Sequence, residues 1–144
     1  MEPHSEQLQI QVEVPKGGLV KRRPDGSVDF VSLLPCPFNY GSVVGSKALD
    51  GDPEDALIVG RRIEAGQFVQ TAVWGRVLFM DAGVEDHKWI CGPQEPTRNE
   101  WLKIRVFFRS YVWVKRILYG IRATSGHVEY LGIERFAVED KRPS

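Results

Sequence analysis

Only one stretch of this 144-residue chain repeats its apolar residues at helical spacing, and that limits the fold more than any other feature. Trp101, Ile104, Phe108 and Tyr111 recur at intervals of three and four, the mark of an amphipathic helix with one buried stripe. Thr97-Arg98-Asn99-Glu100 just ahead has the spacing of a capping box, so the helix is predicted to run to about Arg116. Elsewhere the apolar runs are short, and 14 glycines and 9 prolines favour short strands over further long helices. A single domain over 1–144 is expected, with ends frayed at about 1–7 and 139–144, because a chain of this length cannot build two independent cores.

Leu8 to Val14 alternates strictly, with Leu8, Ile10, Val12 and Val14 on one face, and reads as a half-buried strand. Pro24-Asp25-Gly26-Ser27 is turn chemistry between Val20–Arg23 and Val28–Val31, a predicted hairpin in which Arg23 pairs with Val28 and Lys21 with Phe30. Residues 35–55 are rich in Pro and Gly and read mostly as loop with short extended pieces, followed by a buried strand over Ala56–Val59. Gln67–Met80 and Lys88–Cys91 read as two more strands joined by the polar loop Asp81–His87. After the helix, Ile117–Ala123 and His127–Phe136 are β-branched and aromatic and read as a hairpin, with a short helix as the alternative for the second piece.

Lys+Arg and Asp+Glu are 19 each, so nothing in the net charge draws the chain to nucleic acid or to an anionic membrane. The charges are nevertheless segregated: Asp50 to Asp86 holds eight acids against three bases, and Arg98 to Arg122 seven bases against one acid. No run approaches the roughly 18 apolar residues of a spanning helix, and Met1–Ser5 has no apolar core, so neither a membrane nor a secretory role is expected. Cys36 and Cys91 lack metal-ligand spacing and read as reduced thiols in a cytoplasmic protein. His4, His87 and His127 are too scattered for a metal site, and Trp74, Trp89, Trp101 and Trp113 read as core or subunit contacts.

Asp50-Gly51-Asp52-Pro53-Glu54-Asp55 sets carboxylates at i, i+2 and i+5 immediately before an apolar strand. An isolated turn of this kind is usually just solvated, and an EF-hand is excluded because the sixth and twelfth positions hold Asp55 and Arg61 in place of Gly and Glu. Asp81, Glu85 and Asp86 form a second acidic group, and Glu13 adds an acid on a polar strand face. Oxygen donors without a Cys/His set suit hard cations such as Mg²⁺ or Mn²⁺, which bind carboxylates together with substrate phosphates.

Three motifs in order, Pro37-Phe38-Asn39-Tyr40-Gly41, then Asp50 to Asp55, then Asp81, Asp86 and Lys88, make the chain resemble the soluble family I inorganic pyrophosphatases. Glu13-Val14-Pro15 is similar to the family's Glu-Ile-Pro, Lys21 falls where a phosphate-binding Lys is expected, and Phe107 to Tyr111 resembles the helix that supplies an active-site Tyr. The resemblance spans about Val12 to Arg116 and implies a mainly β fold with α+β elements, an OB-like five-stranded closed β-barrel with one major packed α-helix. It implies Mg²⁺-dependent hydrolysis of pyrophosphate, with Mn²⁺ or another divalent cation as a substitute, in a homo-oligomer that binds no nucleic acid and no membrane. By the same resemblance Asp50, Asp55, Asp86, Asp81 and Glu13 would hold metal and Asp52 would be the general base. Lys21, Tyr40, Lys88 and Tyr111 would contact the phosphates.

The chain departs from that pattern at three of its positions. Arg23 stands where the family has Glu, Phe30 where it has Arg, and Val112 where it has Lys. If the missing charges have moved, Arg23 beside Lys21, and Lys115 and Arg116 three and four residues beyond Val112, are the expected substitutes. Two other readings remain, a weakly active or inactive relative with altered substrate, and an OB-type single-strand nucleic-acid binder using Arg105, Arg109, Lys115 and Arg116.

Overall fold

The computed structural model of the protein describes residues 7–18, 20–22, 28–31, 35–47, 51, 53–81, 83–122 and 128–136, with 20–22, 28–31, 81, 113–122 and 128 described by backbone alone. Five strands close on themselves: β1 (Gln7–Val14), β4 (Asn39–Val43), β5 (Asp55–Ile58), β8 (Lys88–Gly92) and β6 (Phe68–Asp81) follow in that spatial order, and β6 returns to β1. All these pairings are antiparallel except β5 with β8. This is the expected mainly β architecture, an OB-like closed barrel against which one helix, α1 (Arg98–Arg122), packs. Closure leaves these strands few open edges. A separate hairpin joins β2 (Val20–Arg22) to β3 (Val28–Val31), β7 (Val84–Glu85) is a two-residue strand inside the polar loop, and β9 (Val128–Arg135) pairs with the second half of β6.

The alternation of β1 is realised as read, with Ile10, Val12 and Val14 buried. Opposite it, a Cβ at Gly41 would strike the Gln11 carbonyl oxygen, so glycine is what lets β4 lie this close to β1. Successive strand residues feed two hydrophobic clusters on opposite faces of the same sheet. Ala56, Ile58, Cys91, Val73, Ile10 and Val12 pack together on one face. On the other, Leu57, Ile90, Val77, Phe79 and Phe38 meet the helix stripe of Trp101, Ile104, Phe108 and Val112. A bulge between Val73 and Gly75 allows β6 to serve first one core and then the other, since an extra residue reverses the face of everything beyond it.

The helix begins as its capping box requires. Glu100 N donates to Thr97 Oγ1 at 3.2 Å, and Thr97 N donates to Glu100 Oε1 at 2.9 Å. Replacing Thr97 with Ala should therefore cost about 1 kcal/mol in urea denaturation, because an otherwise unpaired first-turn N–H loses its acceptor.

Three local expectations are corrected. Ile117–Arg122 is the continuation of α1 and not a strand; extending an existing helix adds a hydrogen bond per residue with no new nucleation cost, which outweighs the weak strand preference of Ile and Tyr. Ala123 lies outside the described residues, whereas the second piece is the strand β9. In the hairpin Lys21 does pair with Phe30, but a bulge places Arg22, not Arg23, opposite Val28, and Arg23 itself lies outside the described residues. Val112 is 6% exposed and packs in the core, so it is not itself a helix-surface position.

Candidate active site

Because Asp55 leads directly into Leu57 on one strand and Lys88 into Ile90 on its parallel neighbour, both polar residues fall on the face that carries the helix-side core. Asp55 lies opposite Lys88 in the ladder, and Asp86 is two residues before it. Lys88 Nζ donates to Asp55 Oδ2 at 3.1 Å and to Asp86 Oδ2 at 2.9 Å. The lysine is only 4% exposed, and its ammonium sits 5.2 Å from the Phe79 ring centre and 5.9 Å from that of Tyr40. Burial pulls its proton affinity down, yet the two carboxylates outweigh burial and hold its pKa above the ordinary 10.5. The pair's contribution to stability is thus complete below about pH 10.5 and fades only as pH rises through the higher folded value.

Tyr40, on β4, hydrogen-bonds Asp55, and burial followed by that carboxylate raises its pKa well above the ordinary 10. Tyr111 continues the same wall, its ring 5.8 Å from Phe79 and 6.2 Å from Phe108. Glu13 stands at a bulge in β1, where the pairing steps from Val12 opposite Gly41 to Val14 opposite Tyr40, and bulges commonly re-aim a side chain in this way.

Two supports have no signal in spacing alone. Asn39, wholly buried, uses all of its amide: Oδ1 accepts from Lys16 N at 3.0 Å and Ile63 N at 2.8 Å, while Nδ2 donates to Ile58 O at 3.2 Å and Arg61 O at 2.8 Å. It thereby anchors the loops flanking β1 and β5 immediately beside Tyr40. Glu54 Oε2 accepts from the Trp89 indole at 3.1 Å, and Glu54 N donates to Ser46 Oγ at 2.9 Å, tying the entry of β5 to β8 and β4. The one sequence signal for Asn39 is its place in the motif Pro37 to Gly41.

Asp55, Asp86, Lys88 and Tyr40 are therefore brought together, with Tyr111 on the adjoining aromatic wall. Asp50, Asp52 and Arg23 lie outside the described residues. Lys21, Asp81, Lys115 and Arg116 have described backbone in β2, β6 and α1, but their side chains lie outside the description. Among the described residues no three Asp, Glu, His or Cys side chains converge as a metal set. The two carboxylates that do converge offer hard oxygens to one point already holding a cationic group, which is the donor chemistry a hard divalent cation requires.

Both described thiols are free and buried; burial pushes Cys36 up to about 12 and Cys91 higher still. Neither should react with Ellman's reagent at pH 8 until the protein is denatured, since the thiolate is the nucleophile. Among the described residues no helix is long and apolar enough to cross a membrane.

A closed five-stranded barrel whose helix-side face carries two carboxylates, a buried lysine and tyrosines defines an OB-like barrel protein with a charged cluster set beside its core. The chain belongs to the inorganic pyrophosphatase family, whose family model matches residues 10–115. An inorganic pyrophosphatase of Saccharolobus solfataricus is 27% identical over 64% of this chain and 58% of that protein. One of Halalkalibacterium halodurans is 35% identical over 63% of this chain and 61% of that protein. The match thus spans about three fifths of these relatives' length. An inorganic pyrophosphatase structure from Helicobacter pylori superimposes with a TM-score of 0.74, covering 94% of this chain and 88% of that chain at 23% identity, a likeness of fold.

Proposed function

We propose that this protein hydrolyses inorganic pyrophosphate to two phosphates with the help of Mg²⁺, Mn²⁺ or another divalent cation. The observation that carries the proposal is the convergence of Asp55 and Asp86 on one cationic point beside Lys88 and Tyr40, within the stretch that matches the family. Asp55 and Asp86 would hold the cation, with Asp50, Asp81 and Glu13 completing its donors. When bound, that ion neutralises the substrate and lowers the pKa of a nucleophilic water. Asp52 would accept the water's proton as it attacks phosphorus. Lys88 and Lys21 would pair with phosphate oxygens, and Tyr40 and Tyr111 would donate hydrogen bonds to them. The environment of Tyr40 suits this task, because a phenol whose pKa is raised stays protonated, and so a donor, far into the alkaline range. Arg23, Lys115 and Arg116 are proposed as further positive charges toward the substrate. A homo-oligomeric state and a cytoplasmic location are proposed with the family, and Leu102 and Val106, exposed one turn apart on α1, suit a subunit contact.

Release of phosphate from pyrophosphate in the presence of Mg²⁺ tests the proposal, run beside a single-strand DNA titration in which no binding is expected. Asp52→Asn should remove most of the turnover while leaving metal affinity nearly intact. Near-normal turnover of that variant at saturating Mg²⁺ would refute the base role. A weakly active relative is the second reading, favoured by the burial of Val112 where the family carries a lysine; phosphate release barely above background in a well-folded sample would select it.

A further inference from the structure

We propose that Lys88 is a built-in competitor for the divalent cation: without that ion its ammonium occupies the point that Asp55 and Asp86 would share with the metal, so the ion enters only by displacing it. This rests on the hydrolase reading above and concerns this chain's own residues. The ammonium nitrogen lies 3.1 Å from one carboxylate oxygen and 2.9 Å from the other, and a cation bound to both oxygens would have to occupy the same space. A hard divalent ion takes carboxylate oxygens at about 2.0–2.6 Å, and an ammonium left between the same two oxygens would repel it at close range with little water to screen the charges.

The lysine cannot withdraw through its backbone. Lys88 is paired on one side with Asp55 of β5 and on the other with Val77 of β6, so only its side chain can rotate away. While it holds the carboxylates the ammonium already lies near two aromatic faces, Phe79 at 5.2 Å and Tyr40 at 5.9 Å, so a small rotation of the side chain keeps a favourable contact for its charge. Tyr40 is also the neighbour proposed to meet phosphate oxygens, so displacement carries the ammonium from the metal side of the site to the anion side. An anion that attracts Lys88 would free the carboxylates for the metal, and by reciprocity the metal would favour the anion. The lysine thus couples the two ligands and offsets one of the two carboxylate charges while both ligands are absent.

The test is Mn²⁺ binding without substrate at pH 7.5, read by titration calorimetry and by the electron paramagnetic resonance of free Mn²⁺, in the unaltered protein, Lys88→Gln and Lys88→Met. Removing the competitor should tighten Mn²⁺ by about tenfold or more in whichever of the two variants keeps the parent circular dichroism, the scale of a modest coupling between two ligands. Inorganic phosphate added to the unaltered protein should also tighten Mn²⁺, and should not do so in the variants. Unchanged or weakened Mn²⁺ affinity in the folded variants, or no Mn²⁺ binding in any of the three proteins, would overturn the proposal. Phosphate release by the unaltered protein is measured separately, so a failed hydrolase reading shows there whatever the Mn²⁺ arm gives.

Discussion

Asp55→Asn should lower Mg²⁺-dependent phosphate release by about a thousandfold or more, equivalent to about 4 kcal/mol of transition-state stabilisation. Its carboxylate accepts from Lys88 Nζ at 3.1 Å, accepts from the Tyr40 phenol, and is proposed to hold the cation. The amide keeps the shape and one accepting oxygen but loses the negative charge and the second acceptor, so it can no longer serve Lys88, Tyr40 and a cation together. Asp86, at 2.9 Å, still neutralises Lys88, so the fold should survive with a stability loss smaller than the 3–5 kcal/mol typical of stranding a buried charge, which a urea titration will show. Glu54→Gln, one residue earlier, is the control: its carboxylate oxygen accepts from the Trp89 indole, an interaction the amide oxygen can replace, and activity should change by less than about tenfold. Turnover of Asp55→Asn within tenfold of the parent would remove Asp55 from the proposed machinery.

Phe108→Ala should cost about 3–5 kcal/mol and lower the melting temperature by about 10 °C or more. Its ring is 1% exposed and joins the helix to the barrel, 5.9 Å from Phe38 in a stacked arrangement and 6.2 Å from Phe79 edge-on. Truncation would leave a cavity walled by Phe79 of β6 and by Phe38 at the entry to β4, whose paired backbones resist collapsing inward. Tyr111 lies 6.2 Å from Phe108 on the next turn, so the variant should also lose activity more steeply than stability at a temperature where it remains folded. Leu102→Ala, on the opposite side of the helix and half-exposed, should change stability by less than about 1 kcal/mol. Equal losses for the two variants in the same denaturation series would show that the helix is not fastened to the barrel through this stripe.

Much of the fold was legible locally. The strict alternation of β1 and the reciprocal Thr97 and Glu100 bonds are properties of adjacent residues, and they appear where periodicity and capping chemistry place them. The motif residues Asp55, Asp86, Lys88 and Tyr40 were likewise identifiable as a candidate set before any geometry, because their residue types and order matched a known pattern. What the linear chain could not express was every feature that depends on a distant partner. Ile117–Arg122 has strand-like composition but inherits a helix already nucleated at its other end. The bulge that shifts Arg22 opposite Val28, and the one that sends β6 from one core to the other, arise from fitting twisted strands to fixed partners. Val112 is buried because the barrel lies beneath it, and Asn39 is saturated because two loops far along the chain present their backbone groups to it. Residue types in order were sufficient to nominate the carboxylates and the lysine. That Lys88 sits between Asp55 and Asp86 was decided only by the parallel pairing of β5 with β8, since residues 33 positions apart meet at 3.1 Å only when the barrel closes.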